Sequence, residues 1–182
     1  MYDLKLSTSY VPAQSDMATR DITIGALLRE VAAKHPDAEA LVEVSQDGAQ
    51  GRRWTYKGLL IKAEYLAMAL STRFEPGERV MVWSPNCPEW VMLEYACALA
   101  GLVLVTANPA LQARELTYTL EQSGAVALFL TKEFRGNPMS QIGTEVAADI
   151  AAVREVTDIE SNALFAEVSR PPSLPHVVPN DA

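Results

Sequence analysis

Residues 79–111, RVMVWSPNCPEWVMLEYACALAGLVLVTANPAL, restrict the fold more than any other stretch of the chain. Val80 to Trp83 and Leu102 to Val105 are apolar without alternation, the pattern of parallel strands covered on both faces. Between them, Pro88 suits a first helical turn, where no intrahelical N–H is needed, and Gly101 can take the left-handed conformation that ends a helix. The unit predicted is βαβ. At about 1.5 Å per residue, roughly 13 helical residues reach about 20 Å, short of the roughly 30 Å of a bilayer core. The helix is therefore a packed crossover, with only Glu89 and Glu94 to mark a wet side.

The flanking segments extend the alternation. Thr23 is placed to cap a helix in which Ile24, Leu27, Leu28, Val31 and Ala32 keep helical spacing, ended by His35 and Pro36. Ala40 to Val44 and Arg52 to Tyr56 read as a hairpin around a polar turn, and Thr55 caps a second helix carrying Leu59, Ala63, Leu66 and Leu70. After Pro109, a helix from about Gln112 runs to Ser123 with Gly124 at its end. An apolar strand follows from Ala125 to Leu130. Met139, Ile142, Val146 and Ile150 share a helical face, and Val153 to Ile159 reads as a strand near an edge.

Strands alternating with helices imply an α/β fold, a mostly parallel sheet with helices on both faces and right-handed crossovers. The expected organisation is a lead-in over residues 1–21, an α/β subdomain over 22–169, and a proline-rich linker or extended tail over 170–182. Ligands of such sheets bind beyond the carboxyl ends of the strands, here Ser84 to Asn86, Thr106 to Asn108 and Thr131 to Arg135.

A formal charge of −8 without a basic stripe argues against a nucleic-acid partner. The first 21 residues lack the hydrophobic region of a signal peptide, and no segment reads as transmembrane. Cys87 and Cys97 sit ten positions apart around one helix, too far for a disulfide. Both read as small core residues in a reducing, cytoplasmic setting. The turn Ser84-Pro85-Asn86-Cys87-Pro88 contains no glycine, so its backbone is unsuited to closing round a pyrophosphate, and no P-loop pattern occurs. His35 and His176 have no companion at metal-ligand spacing, and no Ser/His/Asp set can be assembled. No catalytic and no metal residue is assigned.

The order of segments carries more. TIGALLREVAAKHPDAEAL (Thr23 to Leu41), RRWTYKGLLIKAEYLAMAL (Arg52 to Leu70), PGERVMVWSPNCPEW (Pro76 to Trp90), ALAGLVLVTANPALQARELTYTLEQSGA (Ala98 to Ala125) and FLTKEF (Phe129 to Phe134) resemble the amino-terminal part of the AMP-forming acyl-adenylate ligases. That family holds fatty acyl-CoA synthetases, coumarate-CoA-ligase-like enzymes, luciferase and peptide-synthetase adenylation domains. Asn108-Pro109 resembles the acyl-CoA synthetase branch.

The resemblance covers roughly residues 20 to 182. It implies an enzyme that, when complete, uses ATP and Mg2+ to convert a fatty or other carboxylic acid to acyl-AMP and then to acyl-CoA. The family's Ser/Thr/Gly-rich phosphate loop, magnesium glutamate, ribose aspartate and late lysine all lie beyond Ala182 in such enzymes. This stretch is therefore expected to be inactive alone and to bind none of the cofactors tightly. Lys132 and Arg135 stand where some members meet the CoA nucleotide, against the plainer reading of a solvated basic turn. Asn86, Glu89 and Trp90 match the family's turn into a helix. Capping by Asn86, a carboxylate at the positive helix end and packing of Trp90 compete there with a Trp90 that borders an acyl or partner surface. Two further readings are a non-catalytic interaction module, a truncated paralogue that pairs with a complementary chain or docks on a full-length ligase and can self-associate through an unfinished sheet, and an unrelated nucleotide-binding α/β protein.

Overall fold

The computed structural model describes residues 19–45, 47–161, 164 and 173–179. The predicted lead-in thus lies almost wholly outside the described residues, as do 170–172 and 180–182 of the tail. The order of elements is α1 (Ile24–Lys34), β1 (Glu39–Val44), β2 (Gln50–Thr55), α2 (Tyr56–Ser71), β3 (Arg79–Trp83), α3 (Pro88–Ala100), β4 (Val103–Ala107), α4 (Ala113–Ser123), β5 (Ala127–Leu130), α5 (Met139–Ala148) and β6 (Glu155–Asp158). β1 and β2 form an antiparallel hairpin, and the other four strands form one parallel sheet in the order β4-β3-β5-β6.

Local chemistry explains most boundaries. The Thr23 and Thr55 hydroxyls accept from the backbone N–H of Ala26 and Gly58, each at 3.1 Å, and so open α1 and α2. Gly101 and Gly124, at φ 70° and 63°, end α3 and α4 in the left-handed conformation that a side chain disfavours. Gln112 and Glu115 form a reciprocal capping box on α4.

Strand alternation divides the core in two. Val80, Val82, Ala127 and Phe129 face α1, α2 and α3, while Met81, Trp83, Leu128 and Leu130 face α4 and α5. Helices therefore cover both faces, as the sequence predicts.

Four expectations need correction. β4 is an edge strand and only half-buried, whereas β3 is buried from Val80 onward, because nothing among the described residues pairs with β4 opposite β3. Glu89 is buried at 8% exposure instead of marking a wet side, because Arg52 reaches it from β2. The residue preceding α3 is Cys87 and not Asn86, and no side chain caps that helix. Ile150 lies beyond the end of α5, though it still packs in the core.

Candidate functional site

The chain leaves β3 through α3 on one face of the sheet and leaves β5 through α5 on the other. Between these adjacent strands lies the switch point, where the divergent connections open a crevice at the carboxyl ends. A cavity of about 500 Å³ occupies this end of the molecule. Pro85, Cys87 and Pro88 form one wall, Thr131 and Glu133 another, and the hairpin lies over it through Leu41 to Ser45.

The hairpin is fastened by charge. Arg52 donates through Nε to Glu43 Oε2 at 2.8 Å and through Nη1 to Glu89 Oε1 at 2.5 Å, and its guanidinium stacks 5.3 Å from the Trp54 ring centroid. One arginine thereby joins β1, β2 and the first turn of α3. Hydrogen bonds from the Arg52 side chain and backbone hold the Glu43 carboxyl down at about 2, against an ordinary 4.5. A carboxyl depressed on folding stabilises the fold at pH above 4.5 and loses that contribution as pH falls toward 2.

Arg52→Met is expected to lower stability at pH 7 by about 1 kcal/mol, the low figure reflecting the half-exposed guanidinium. It is also expected to flatten the acid limb between pH 4.5 and 2. Urea melts at stepped pH check both, and an unchanged acid limb refutes the clamp.

The remaining loops are tied across the same end of the sheet. Arg135 and Gly136, at φ 50° and 80°, occupy the two central positions of a tight turn closed by Phe134 and Asn137. Asn137 Nδ2 donates to the carbonyls of Pro109 and Leu111 at 3.3 and 3.2 Å, joining the β5–α5 loop to the β4–α4 loop. Trp83 Nε1 donates to the Asn108 carbonyl at 2.9 Å.

Lys132 and Arg135 both lie exposed beyond β5. Lys132 Nζ faces Asp158 Oδ2 at 3.7 Å, and the Arg135 guanidinium rests 5.1 Å from the Phe134 ring centroid. Trp90 is half-buried against the core, and neither it nor the two cations line the cavity. This cavity therefore gathers none of the three.

The cavity wall itself is acidic, with Glu43, Glu133 and Glu160 and no lysine or arginine. Burial, opposed by the Ser84 hydroxyl 3.7 Å away, pushes the Cys87 thiol up, with Glu89 and Glu160 adding to the rise. Burial raises Cys97 as well, and both cysteines are free. A wall of this sign with a glycine-free turn does not fit a triphosphate. Among the described residues no group of His, Cys, Asp and Glu is placed to hold a metal ion.

Sequence reasoning missed the Arg52–Glu89 pair and the Asn137 and Trp83 tethers. No spacing rule links positions 37 or 25 residues apart. The one legible signal was Glu89 in the first turn of a helix whose only other charged residue is Glu94.

A doubly wound parallel sheet with a switch-point crevice defines a class, the open α/β proteins that place ligands beyond their strand ends. The pattern of the AMP-binding enzyme family matches residues 28–181, and the chain belongs to that family. It is 36% identical over 143 residues to the human (Homo sapiens) medium-chain acyl-CoA ligase ACSF2, mitochondrial, a match covering 76% of this chain and 23% of that protein. A Mycobacterium tuberculosis fatty acyl CoA synthetase superposes with TM-score 0.70 at 25% identity, covering 85% of this chain and 30% of that one. The N-terminal domain of FACL13 from the same organism gives 0.69 at 25% identity, covering 84% and 38%. The chain thus spans about a quarter of the length of the curated relatives it matches.

Proposed function

We propose that this chain is the scaffold portion of a ligase that activates a carboxylic acid, a fatty acid foremost, with ATP and Mg2+ and passes the acyl group to CoA. By itself it carries no such activity. The observation behind this reading is the family match from residue 28 to 181, which spans the entire parallel sheet. The printed names of the relatives, acyl-CoA ligase and fatty acyl CoA synthetase, support the substrate class.

Adenylyl transfer needs preorganised cations and N–H donors around the phosphates, and the acidic crevice supports placing those groups elsewhere in a complete enzyme. Lys132 and Arg135, both exposed beyond β5, are the groups we assign to the CoA nucleotide phosphates. Trp90 is assigned to the border of an acyl or partner-domain surface.

Acid-dependent exchange of pyrophosphate into ATP by the purified chain is the test. No exchange above the blank is expected, and robust exchange would place the chemistry in these residues and overturn the proposal.

A second reading, an interaction module that associates through its unfinished sheet, is favoured by one observation. Among the described residues, β4 and β6 each pair on one side only. A monodisperse monomer that binds no hydrophobic dye refutes it.

A cytoplasmic setting belongs to the same proposal and is supported by the two free cysteines. The human relative is named mitochondrial for itself, and cell fractionation separates the two locations.

A further inference from the structure

The β1–β2 hairpin stands apart from the parallel sheet, and its two halves are held differently. At its base, Ala40, Leu41 and Trp54 pack against the core, and the Tyr56 N–H donates to the Ala38 carbonyl at 3.0 Å. Toward its tip, Val44, Gln50, Gly51, Arg52 and Arg53 are exposed. Base and tip are joined through irregular pairing, with register shifts between Glu39 and Leu41 and between Val42 and Val44. Bulged pairing bends a strand, so the ladder flexes most easily there.

The tip half walls the crevice, since Val42 to Ser45 and Gly51 line the cavity that Cys87 and Thr131 also line. Among the described residues, one ion pair ties that half to the rest of the chain. Arg52 Nη1 and Nη2 reach Glu89 Oε1 and Oε2 at 2.5 and 3.3 Å. The other charge pairs of the hairpin are internal, Arg52 with Glu43 and Arg53 with Glu39. Swinging the tip outward therefore breaks one ion pair and keeps the others. Arg52 leaves Glu89 still holding Glu43, and water entering the crevice solvates the Glu89 carboxylate. Such an opening costs far less than unfolding the sheet.

We propose that the β1–β2 hairpin is a gate over the switch-point crevice, latched by Arg52 on Glu89 and flexing at its irregular base while the parallel sheet stays folded. It sets when a solute enters the cavity from the hairpin side. The gate rests on the hairpin's own ties and goes beyond the ligase reading. Because the guanidinium is half-exposed, the latch weakens in salt.

Cys87, half-buried in the cavity wall, reports opening, and fully buried Cys97 reports unfolding. The full chain is labelled with iodoacetamide, which is small, and with a maleimide on a polyethylene glycol chain, which needs a wider entrance. Removing the Glu89 charge also eases ionisation of the Cys87 thiol, an effect common to both reagents, so the readout is the ratio of their rates. Glu89→Gln is expected to raise the ratio of bulky to small labelling at Cys87 about fivefold, the scale of one half-exposed ion pair. Glu43→Gln keeps the latch and is expected to leave the ratio unchanged. Raising salt from roughly 0.05 M to roughly 0.5 M is expected to increase the ratio in the parent and to leave it flat in Glu89→Gln. Amide exchange within β1 and β2 is expected to stay slow throughout, because the hairpin moves as a unit.

A ratio that ignores both the substitution and the salt overturns the proposal. Cys97 labelled in step with Cys87 overturns it as well, since the whole chain is then unfolding. So does hairpin exchange that quickens with labelling, which is local melting and not a gate. None of these outcomes alters the pyrophosphate-exchange test of the ligase reading.

Discussion

Trp83→Ala is expected to destabilise the chain by about 4 kcal/mol, the scale for deleting a fully buried aromatic side chain. For a chain of this size that lowers Tm by roughly 8–16 °C. The indole is completely buried on the α4–α5 side of the sheet, at the end of β3 and one residue before the crevice. It packs, and it also holds the β4–α4 loop through Asn108. Trp83→Phe separates these roles, because it keeps the aromatic packing and deletes the donor. A loss of about 1 kcal/mol is expected, since the exposed Asn108 turn lets water take over the carbonyl. Thermal and urea melts of both variants decide the matter, and an alanine variant that melts beside the parent refutes the packing assignment.

Gly143→Val is expected to lower stability by about 3 kcal/mol through overpacking and off-rotamer strain. Gly143 lies on α5 where the helix presses on the sheet. A Cβ there would meet Leu130 Cδ2 at 2.4 Å, Leu128 Cδ2 at 3.2 Å and Trp83 Cζ3 at 3.7 Å. All three neighbours are fully buried, so none can move without displacing others. Gly143→Ala is also expected to destabilise, by about 1 kcal/mol, despite a helix-propensity gain of similar size. Gly58→Ala is the control, since a Cβ on that α2 glycine has Thr55 Oγ1 at 3.5 Å as its nearest neighbour and should leave the melt unchanged or raise it. Equal effects at the two positions sink the idea that α5 needs its glycine for close approach.

Both sites bear on function through position. Trp83 and Leu130 are the last residues of the strands that flank the switch point, so their packing sets the spacing of Ser84 and Thr131 at the crevice. A softened contact there loosens the spacing of the two strand ends at the crevice. The Arg52 clamp acts on the same crevice from the other face, where it holds the hairpin over the cavity.

Periodicity, caps and stop glycines are local, and they were enough to read the element order, the hairpin, the four parallel strands and helices on both faces. Five short segments in one order also carried the family, since each is stretched along the chain and needs no contact map to be read. Relations between distant positions had to wait for the folded chain. The burial of Glu89 depends on an arginine 37 positions away, the openness of β4 depends on which strand lies beside it, and the acidic cavity depends on Glu43, Glu133 and Glu160 being brought to one wall. Those are properties of juxtaposition, and the pairing order β4-β3-β5-β6 is what creates them.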